Sequence, residues 1–302
     1  MRINDFDLYK DLLKEKSGLT LTPDKSYLLD SRLTPVARKH NFANLEAMTM
    51  ALRGVPSQDL IKDVVEAMTT NETSFFRDSK PFDQFRDIVI PHLLKTRAMT
   101  KRVRIWCAAA STGQEPYSLA MVIKENAAKL AGWNFEIVAT DIDTAVLETA
   151  KKAEYSQFEV QRGLPIQMLM KYFDQKGDRW HLKNDIKSMI QYKPFNLLSP
   201  MGGLGKFDII FCRNVLIYFD RDTKAKTLEN MAQLLPDDGF MFLGGAETVL
   251  GITDAFKPLD NSRGVYIKPS CTTITAPAAS PVASAAPAVP RPAVAPFPAT
   301  KT

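Results

Sequence analysis

Residues 103–131 read VRIWCAAASTGQEPYSLAMVIKENAAKLA, and the change of pattern inside this stretch decides the fold. Val103–Ala108 is a short, largely apolar run and reads as a strand. A turn of small residues follows, from Ala108 through Gly113 to Pro116, which is placed to open the next helix. That helix is expected over Tyr117–Ala131. The same alternation continues downstream. Phe135–Thr140 reads as a second strand and Ala145–Lys152 as the start of a helix. Phe207–Cys212, Arg221–Leu235 and Phe240–Leu243 give strand, helix and strand, and Val265–Lys268 closes the series. Such alternation implies an α/β domain over residues 102–269, with a mainly parallel, Rossmann-like sheet covered on both faces. Ligands then belong at the carboxyl ends of the strands. Residues 176–193 break the rhythm: Arg179–Lys183 and Lys187–Lys193, around Asn184-Asp185-Ile186, suggest an inserted hairpin.

Upstream, residues 1–80 show only helical periods. Asn4 is placed to cap a helix whose Phe6, Tyr9, Leu12 and Leu13 share a face, and Gly18 to close it. Leu29, Leu33 and Val36 mark a second helix, which Pro35 is expected to kink or restart. A third runs from Asn44 to Leu52, and Ser57 caps a fourth through Leu60, Ile61, Val64, Val65 and Met68. Residues 81–101 read as a linker. At the other end, residues 270–302 hold seven prolines, ten alanines and no acid. That composition buries too little apolar surface to offset its ordering entropy, so it reads as a disordered tail.

Composition excludes several classes. The 302 residues carry 39 Lys+Arg against 34 Asp+Glu, and two of the +5 charges sit on the tail. This is no footprint of a nucleic-acid binder. No apolar run approaches the roughly 20 residues needed to span a bilayer, and the acidic start does not read as a signal peptide. The three cysteines, Cys107, Cys212 and Cys271, form no CxxC, and the three histidines are scattered. Neither a disulfide framework nor a metal site is expected. The reading is a reduced, cytoplasmic monomer that neither inserts into a membrane nor binds nucleic acid.

Three strand ends carry groups suited to a ligand. The 108–117 turn has small residues that let a ligand approach the backbone, although taken alone it is an ordinary strand-to-helix turn. Its single glycine is not a dinucleotide fingerprint. Asp141 ends the second strand, where an acid can accept both ribose hydroxyls or cap the following helix. The run Phe211-Cys212-Arg213-Asn214-Val215-Leu216-Ile217-Tyr218-Phe219 ends the third.

With Thr69-Thr70-Asn71-Glu72-Thr73-Ser74-Phe75-Phe76-Arg77, Ala139-Thr140-Asp141-Ile142-Asp143 and Phe195-Asn196-Leu197-Leu198, these stretches resemble, in order, the CheR family. Its members are S-adenosylmethionine-dependent methyltransferases acting on glutamates of bacterial chemoreceptors. The resemblance spans residues 1–268. It implies a class I methyltransferase sheet with a small inserted antiparallel β-subdomain, preceded by a small all-α domain. S-adenosylmethionine is the implied cofactor and methyl-accepting chemotaxis receptors are the implied partners. Asn71, Thr73 and Arg77 match the family's cofactor-contacting segment. Glu115 and Asp141 match the acids that hold the amino-acid and ribose parts. Asn196 and Leu197 match the adenine-side loop, Arg213 and Asn214 the strand-end pair, and Tyr218 a tyrosine near the reactive methyl. Arg77 and Tyr218 are thus the expected catalytic residues. Gln114 departs from members that carry a second acid there.

The substrate surface is expected on the second helix. Lys25, Arg32 and Lys39 recur every seven residues with Arg38 nearby, giving residues 25–40 a charge of +3 inside a region, 1–80, whose 12 basic and 12 acidic residues cancel. A charge run is often only a solvated face. The resemblance assigns Arg32, Arg38 and Lys39 to the acidic methylation region of the receptor. The hairpin offers an edge strand to a receptor peptide, and its short connection reads as peptide-independent. Two alternatives stay open: a cofactor-binding scaffold without turnover, and a nicotinamide dehydrogenase, which the glycine-poor turn disfavours.

Overall fold

The structure, a computed structural model, describes residues 3–274. Four helices come first: α1 (Ile3–Ser17), α2 (Tyr27–Lys39), α3 (Leu45–Arg53) and α4 (Gln58–Met68). Asn44 and Ser57 cap α3 and α4 by accepting from Ala47 N and Leu60 N. Gly18, at φ +78°, turns the chain out of α1 in a conformation that disfavours a side chain. Tyr9, Leu13, Leu29, Leu33, Met48, Leu60 and Val64 form a closed core, in which Tyr9 Oη and Thr49 Oγ1 meet at 2.8 Å. Pro35 lies inside α2 without restarting it. The buried stripe Leu29, Leu33, Val36 and Ala37 holds the helix through a residue whose intrinsic penalty is about 3 kcal/mol.

The stretch expected to be a linker is instead helical and buried. α5 (Lys80–Gln84) passes through a π-helical turn at Phe85–Val89 into α6 (Ile90–Thr96). Phe82, Phe85, Val89, Ile90 and Leu93 are at most 2% exposed and belong to the core beneath the sheet. Their spacing of three, four, one and three is that of one apolar helix face.

The main sheet is built from β1 (Arg102–Ala108), β2 (Asn134–Asp141), β6 (Ile190–Pro194), β7 (Ile209–Cys212), β8 (Phe240–Leu243), β9 (Lys257–Pro258) and β10 (Val265–Ile267), in the order β6-β2-β1-β7-β8-β10-β9. β6 to β8 are parallel, and β10 and β9 complete the edge antiparallel. Side chains alternate between two cores, as the strand pleat requires. Ile105, Cys107, Ile209, Phe211, Phe240 and Phe242 face one; Trp106, Ala108, Ile210, Cys212, Met241 and Leu243 face the other. α7 (Gln114–Glu125) and α8 (Thr144–Lys152) follow the first two strands, and α12 (Arg221–Leu234) follows β7.

A second, three-stranded antiparallel sheet has the order β3-β5-β4, from β3 (Glu154–Ser156), β4 (Phe173–Lys176) and β5 (Arg179–Leu182). Between β3 and β4 lie α9 (Gln157–Gln161) and α10 (Ile166–Tyr172). This corrects the expected 176–193 insert. β5 pairs backward with β4 across Gly177-Asp178, whereas residues 190–194 form the parallel edge strand β6. The intervening 184–187 segment is one helical turn, α11 (Asn184–Lys187), so its shortness says nothing about peptide docking. The misreading has a physical source: β6 is apolar at Ile190 and Tyr192 and otherwise polar, as an edge strand is.

The expected tail begins later than residue 270. Cys271 and Ile274 are 5% and 9% exposed against the core. The remainder of that expectation lies outside the described residues. Among the described residues no helix is long and apolar enough to cross a membrane.

Candidate active site

The β1 turn is held by a buried carboxylate. Asp141, ending the neighbouring strand β2, accepts from Ser111 N through Oδ2 at 2.8 Å and from Asp143 N through Oδ1 at 3.0 Å. Ala109 and Ser111 take positive φ values of 59° and 50°, and Gly113 one of 94°. A Cβ on Gly113 would lie 2.6 Å from Tyr192 Oη, so this position needs glycine for space as well as for φ. Burial pushes the Asp141 carboxyl up to about 6 against the pull of its backbone donors. The helix-cap reading of Asp141 is displaced, because Asp143 takes that role for α8, accepting from Ala145 N and Val146 N.

Glu115 enters from the first turn of α7 and Arg213 from the end of β7. Arg213 Nη1 donates to Glu115 Oε2 at 2.8 Å, and Nη2 donates to Asp78 Oδ2 at 2.7 Å and to Arg77 O at 2.9 Å. The Arg213 side chain is 1% exposed, and its Nε has no acceptor among the described residues. Burial raises the Glu115 carboxyl while the adjacent guanidinium pulls it back. Beyond Arg213, Asn214 sits at φ 59°. Glu247 fixes that loop by accepting from the backbone N–H groups of Asn214, Val215, Ile217 and Gly244. No motif drew attention to Glu247. Its only sequence signal is an acid just past the end of β8.

The helical region supplies the opposite wall. Asn71 Nδ2 donates to Asp143 Oδ2 at 2.7 Å, and Ser111 Oγ donates to Asn71 O at 2.7 Å. Arg77 Nη1 donates to Glu72 O at 2.9 Å, and Glu72 pairs through its carboxylate with Arg162. Asn196 Nδ2 donates to Lys16 O at 2.6 Å, while Thr20 N donates to Tyr218 O at 2.8 Å. Lys14 and Asp220 add an ion pair at 2.8 Å.

Asn71, Thr73, Arg77, Glu115, Asp141, Asn196, Leu197, Arg213, Asn214 and Tyr218 therefore line one cavity. It leaves about 980 Å³ of empty space, its open mouth included. Ser111 and Ile142, from the 108–117 turn and the 139–143 motif, also line it, as do Ser17 and Leu19, which belong to no motif. Ser17 and Leu19 had no local signal: they arrive because α1 ends against the Tyr218–Asp220 loop.

The basic residues expected on the second helix do not join this cavity. Lys25 lies in a 3₁₀ turn before α2 rather than on it. Arg38 and Lys39 are exposed, the latter paired with Asp63 at 2.7 Å. Arg32 is turned inward onto Met68 O and Thr69 O, which removes it from the expected solvated stripe.

Two family models match the chain. One, described as CheR methyltransferase, SAM binding domain, covers residues 71–265; the other, CheR methyltransferase, all-alpha domain, covers 4–69. A chemotaxis protein methyltransferase of Pseudomonas putida is 38% identical over 265 residues, covering 86% of this chain and 96% of that protein. Chemotaxis protein methyltransferase 1 of Pseudomonas aeruginosa is 39% identical over 269 residues, covering 87% and 97%. The first model includes α5 and α6, in keeping with their place in the sheet's core. The cavity's donor set suits S-adenosylmethionine. Among the lining side chains, the Arg213 guanidinium suits a carboxylate, Glu115 an ammonium, and Asp141 a pair of ribose hydroxyls. Matched along both its helical and its sheet regions, the chain belongs to the CheR methyltransferase family and carries that family's S-adenosylmethionine-binding domain.

Proposed function

We propose that the chain methylates glutamate side chains of methyl-accepting chemotaxis receptors, giving glutamate methyl esters and S-adenosylhomocysteine in chemosensory adaptation. The observation that carries this reading is one cavity with Glu115, Asp141 and Arg213 at its strand-end wall and Arg77 and Tyr218 on the loops opposite. When bound, S-adenosylmethionine supplies a methyl group on a sulfonium, which a carboxylate can take directly without a general base.

The chain's own residues then orient and enclose. Glu115 and Arg213 hold the amino-acid part, Asp141 the ribose, and Asn196 with Leu197 the adenine. Asn71, Thr73 and Asn214 close the cofactor's flanks. Arg77 orients the incoming carboxylate with a planar fork of donors. Full neutralisation by Arg77 would blunt the nucleophile, so its contribution is alignment. Tyr218 shapes the approach to the methyl carbon. An anion and a cation become two neutral products, so a water-poor site that aligns them lowers the barrier. Arg38 and Lys39 on the outer face of α2 attract the acidic region of the receptor. The protein works in the cytoplasm, where these receptor segments lie, and acts as a monomer.

Calorimetry with S-adenosylhomocysteine tests the cavity, and methyl release from receptor-containing membranes tests turnover. Binding of one equivalent together with base-labile methyl incorporation into receptor is expected. Binding without incorporation would leave a regulatory scaffold, and absence of binding would remove the assignment.

A further inference from the structure

We infer that Arg32 is a positioning residue for the cofactor cavity, clamping the chain where the helical region passes into the loop that lines it. α4 ends at Met68, and the last carbonyls of a helix have no partner within it. Arg32 reaches across from α2 to supply one. Its Nη1 donates to Met68 O at 3.0 Å and to Thr69 O at 2.7 Å, and its Nη2 to Thr70 Oγ1 at 3.4 Å. A cation at a helix C-terminus is also favoured by the helix dipole.

The clamped residues are the ones that matter to the cavity. Thr69, Thr70 and Asn71 follow directly and line it. From the other side the sheet holds two of the three, Thr69 and Asn71. Thr69 Oγ1 donates to Asp143 Oδ2 at 3.2 Å, Asn71 Nδ2 donates to the same oxygen at 2.7 Å, and Ser111 Oγ donates to Asn71 O at 2.7 Å. Asp143 in turn donates its N–H to Asp141. The crossing segment is thus pinned between Arg32 and the strand-end acids. Without Arg32, its helical side keeps, among the described residues, the 3.2 Å Thr69 N to Glu66 O bond and the Thr69 hydroxyl on the same carbonyl. A lysine would not replace Arg32, because one ammonium cannot reproduce a planar fork spread over two carbonyls and a hydroxyl.

This inference rests on the proposed binding of S-adenosylmethionine in the cavity, and it separates sharply from a receptor contact. The test is a calorimetric titration of the full chain with S-adenosylhomocysteine, without receptor, well below the melting temperature. Wild type, Arg32→Lys and Arg32→Ala are compared, with thermal melting recorded for each. Arg32→Ala is expected to bind about tenfold more weakly, the scale of one lost charge-assisted hydrogen bond. Arg32→Lys should be nearly as weak despite keeping its charge, and it serves where the alanine variant folds poorly. A role limited to stability would lower the melting temperature and leave this affinity unchanged. Unchanged affinity in both variants, with receptor KM raised in Arg32→Ala and restored in Arg32→Lys, would overturn the inference in favour of a surface charge. If wild type itself does not bind, the cavity assignment fails first and the inference falls with it.

Discussion

The strand-end wall of the cavity and the outer face of α2 both present basic side chains, in opposite surroundings. Arg213 is 1% exposed and held by Glu115, itself 13% exposed; Lys39 is 66% exposed beside Asp63. Both pairs are geometrically good, at 2.8 and 2.7 Å. They differ in what is left when the cation is removed. On α2, losing Lys39 leaves Asp63, 14% exposed, still beside His40 Nε2 at 2.6 Å; at the strand ends, losing Arg213 leaves Glu115 with no other ion pair among the described residues. Ion pairing therefore locates neither function nor stability here unless burial is read with it.

The largest effect is expected at the buried pair. Arg213→Ala should lower unfolding free energy by about 3–5 kcal/mol in a urea titration, because Glu115, largely buried, loses its ion-pair partner. It should also abolish methyl transfer. A loss below about 1 kcal/mol, the scale of an exposed pair, would place Arg213 with Lys39 and erase the contrast. Arg77 sharpens the comparison from inside the cavity. It is half-buried, and the hydrogen bond it donates stays within its own loop, to Glu72 O. Arg77→Ala should therefore keep the melting temperature of wild type while losing most transfer activity. Near-normal turnover in that variant would end its orienting role.

Asp141 gives an effect of intermediate size, readable in pH. Burial raises its carboxyl from 3.8 to about 6 in the folded protein. The folded state therefore binds this proton more tightly than the unfolded one. Asp141's contribution to stability is full below the unfolded value and declines as pH rises from about 4 to 6. Cofactor affinity should run the other way, since ribose hydroxyls donate best to the ionised carboxylate. S-adenosylhomocysteine binding is expected to strengthen up to about tenfold per pH unit below 6 and to level off above it. Asp141→Asn should flatten that profile and weaken binding at neutral pH. A wild-type profile that stays flat across pH 5–7 would show that Asp141 does not bind the ribose as a carboxylate.

The same contrast explains what was legible in the sequence. The strand-end wall is readable because Asp141 ends β2, Arg213 directly follows β7, and Glu115 opens the helix after β1, places that the parallel order brings together. The helical caps Asn44 and Ser57 were readable for a similar, local reason. The opposite wall was not. Ser17 and Leu19 reach the cavity only because the two regions pack together, and Glu247 acts through four backbone N–H groups that no motif records. Phe76, Asp78 and Ser79 adopt positive φ values of 47°, 66° and 42°, conformations that L-residues keep only when tertiary contacts enforce them. The hairpin was misplaced because β4 to β6 share a mixed polar pattern, so period alone could not choose which pair turns back. The helix at 80–96 is a different failure: its apolar face is present, but two prolines, Pro81 and Pro91, and short neighbours disguise it as a connection.

The smallest effect belongs to the exposed face, and it tests whether that face acts at all. Lys39 and His40 share Asp63, so Lys39→Ala leaves the acid with His40 at 2.6 Å and should hardly change folding. What should change is encounter with an acidic receptor. Arg38→Glu with Lys39→Glu should raise receptor KM severalfold at low salt, with cofactor affinity and kcat unaltered. Because exposed charges are screened beyond about 8 Å at physiological ionic strength, the gap between variant and wild type should narrow as salt is added. A gap that persists unchanged in high salt would mean that the two glutamates had disturbed contacts within α2, and that the outer face does not steer the receptor. If no gap appears at low salt, the positive charge on α2 is a solvated surface.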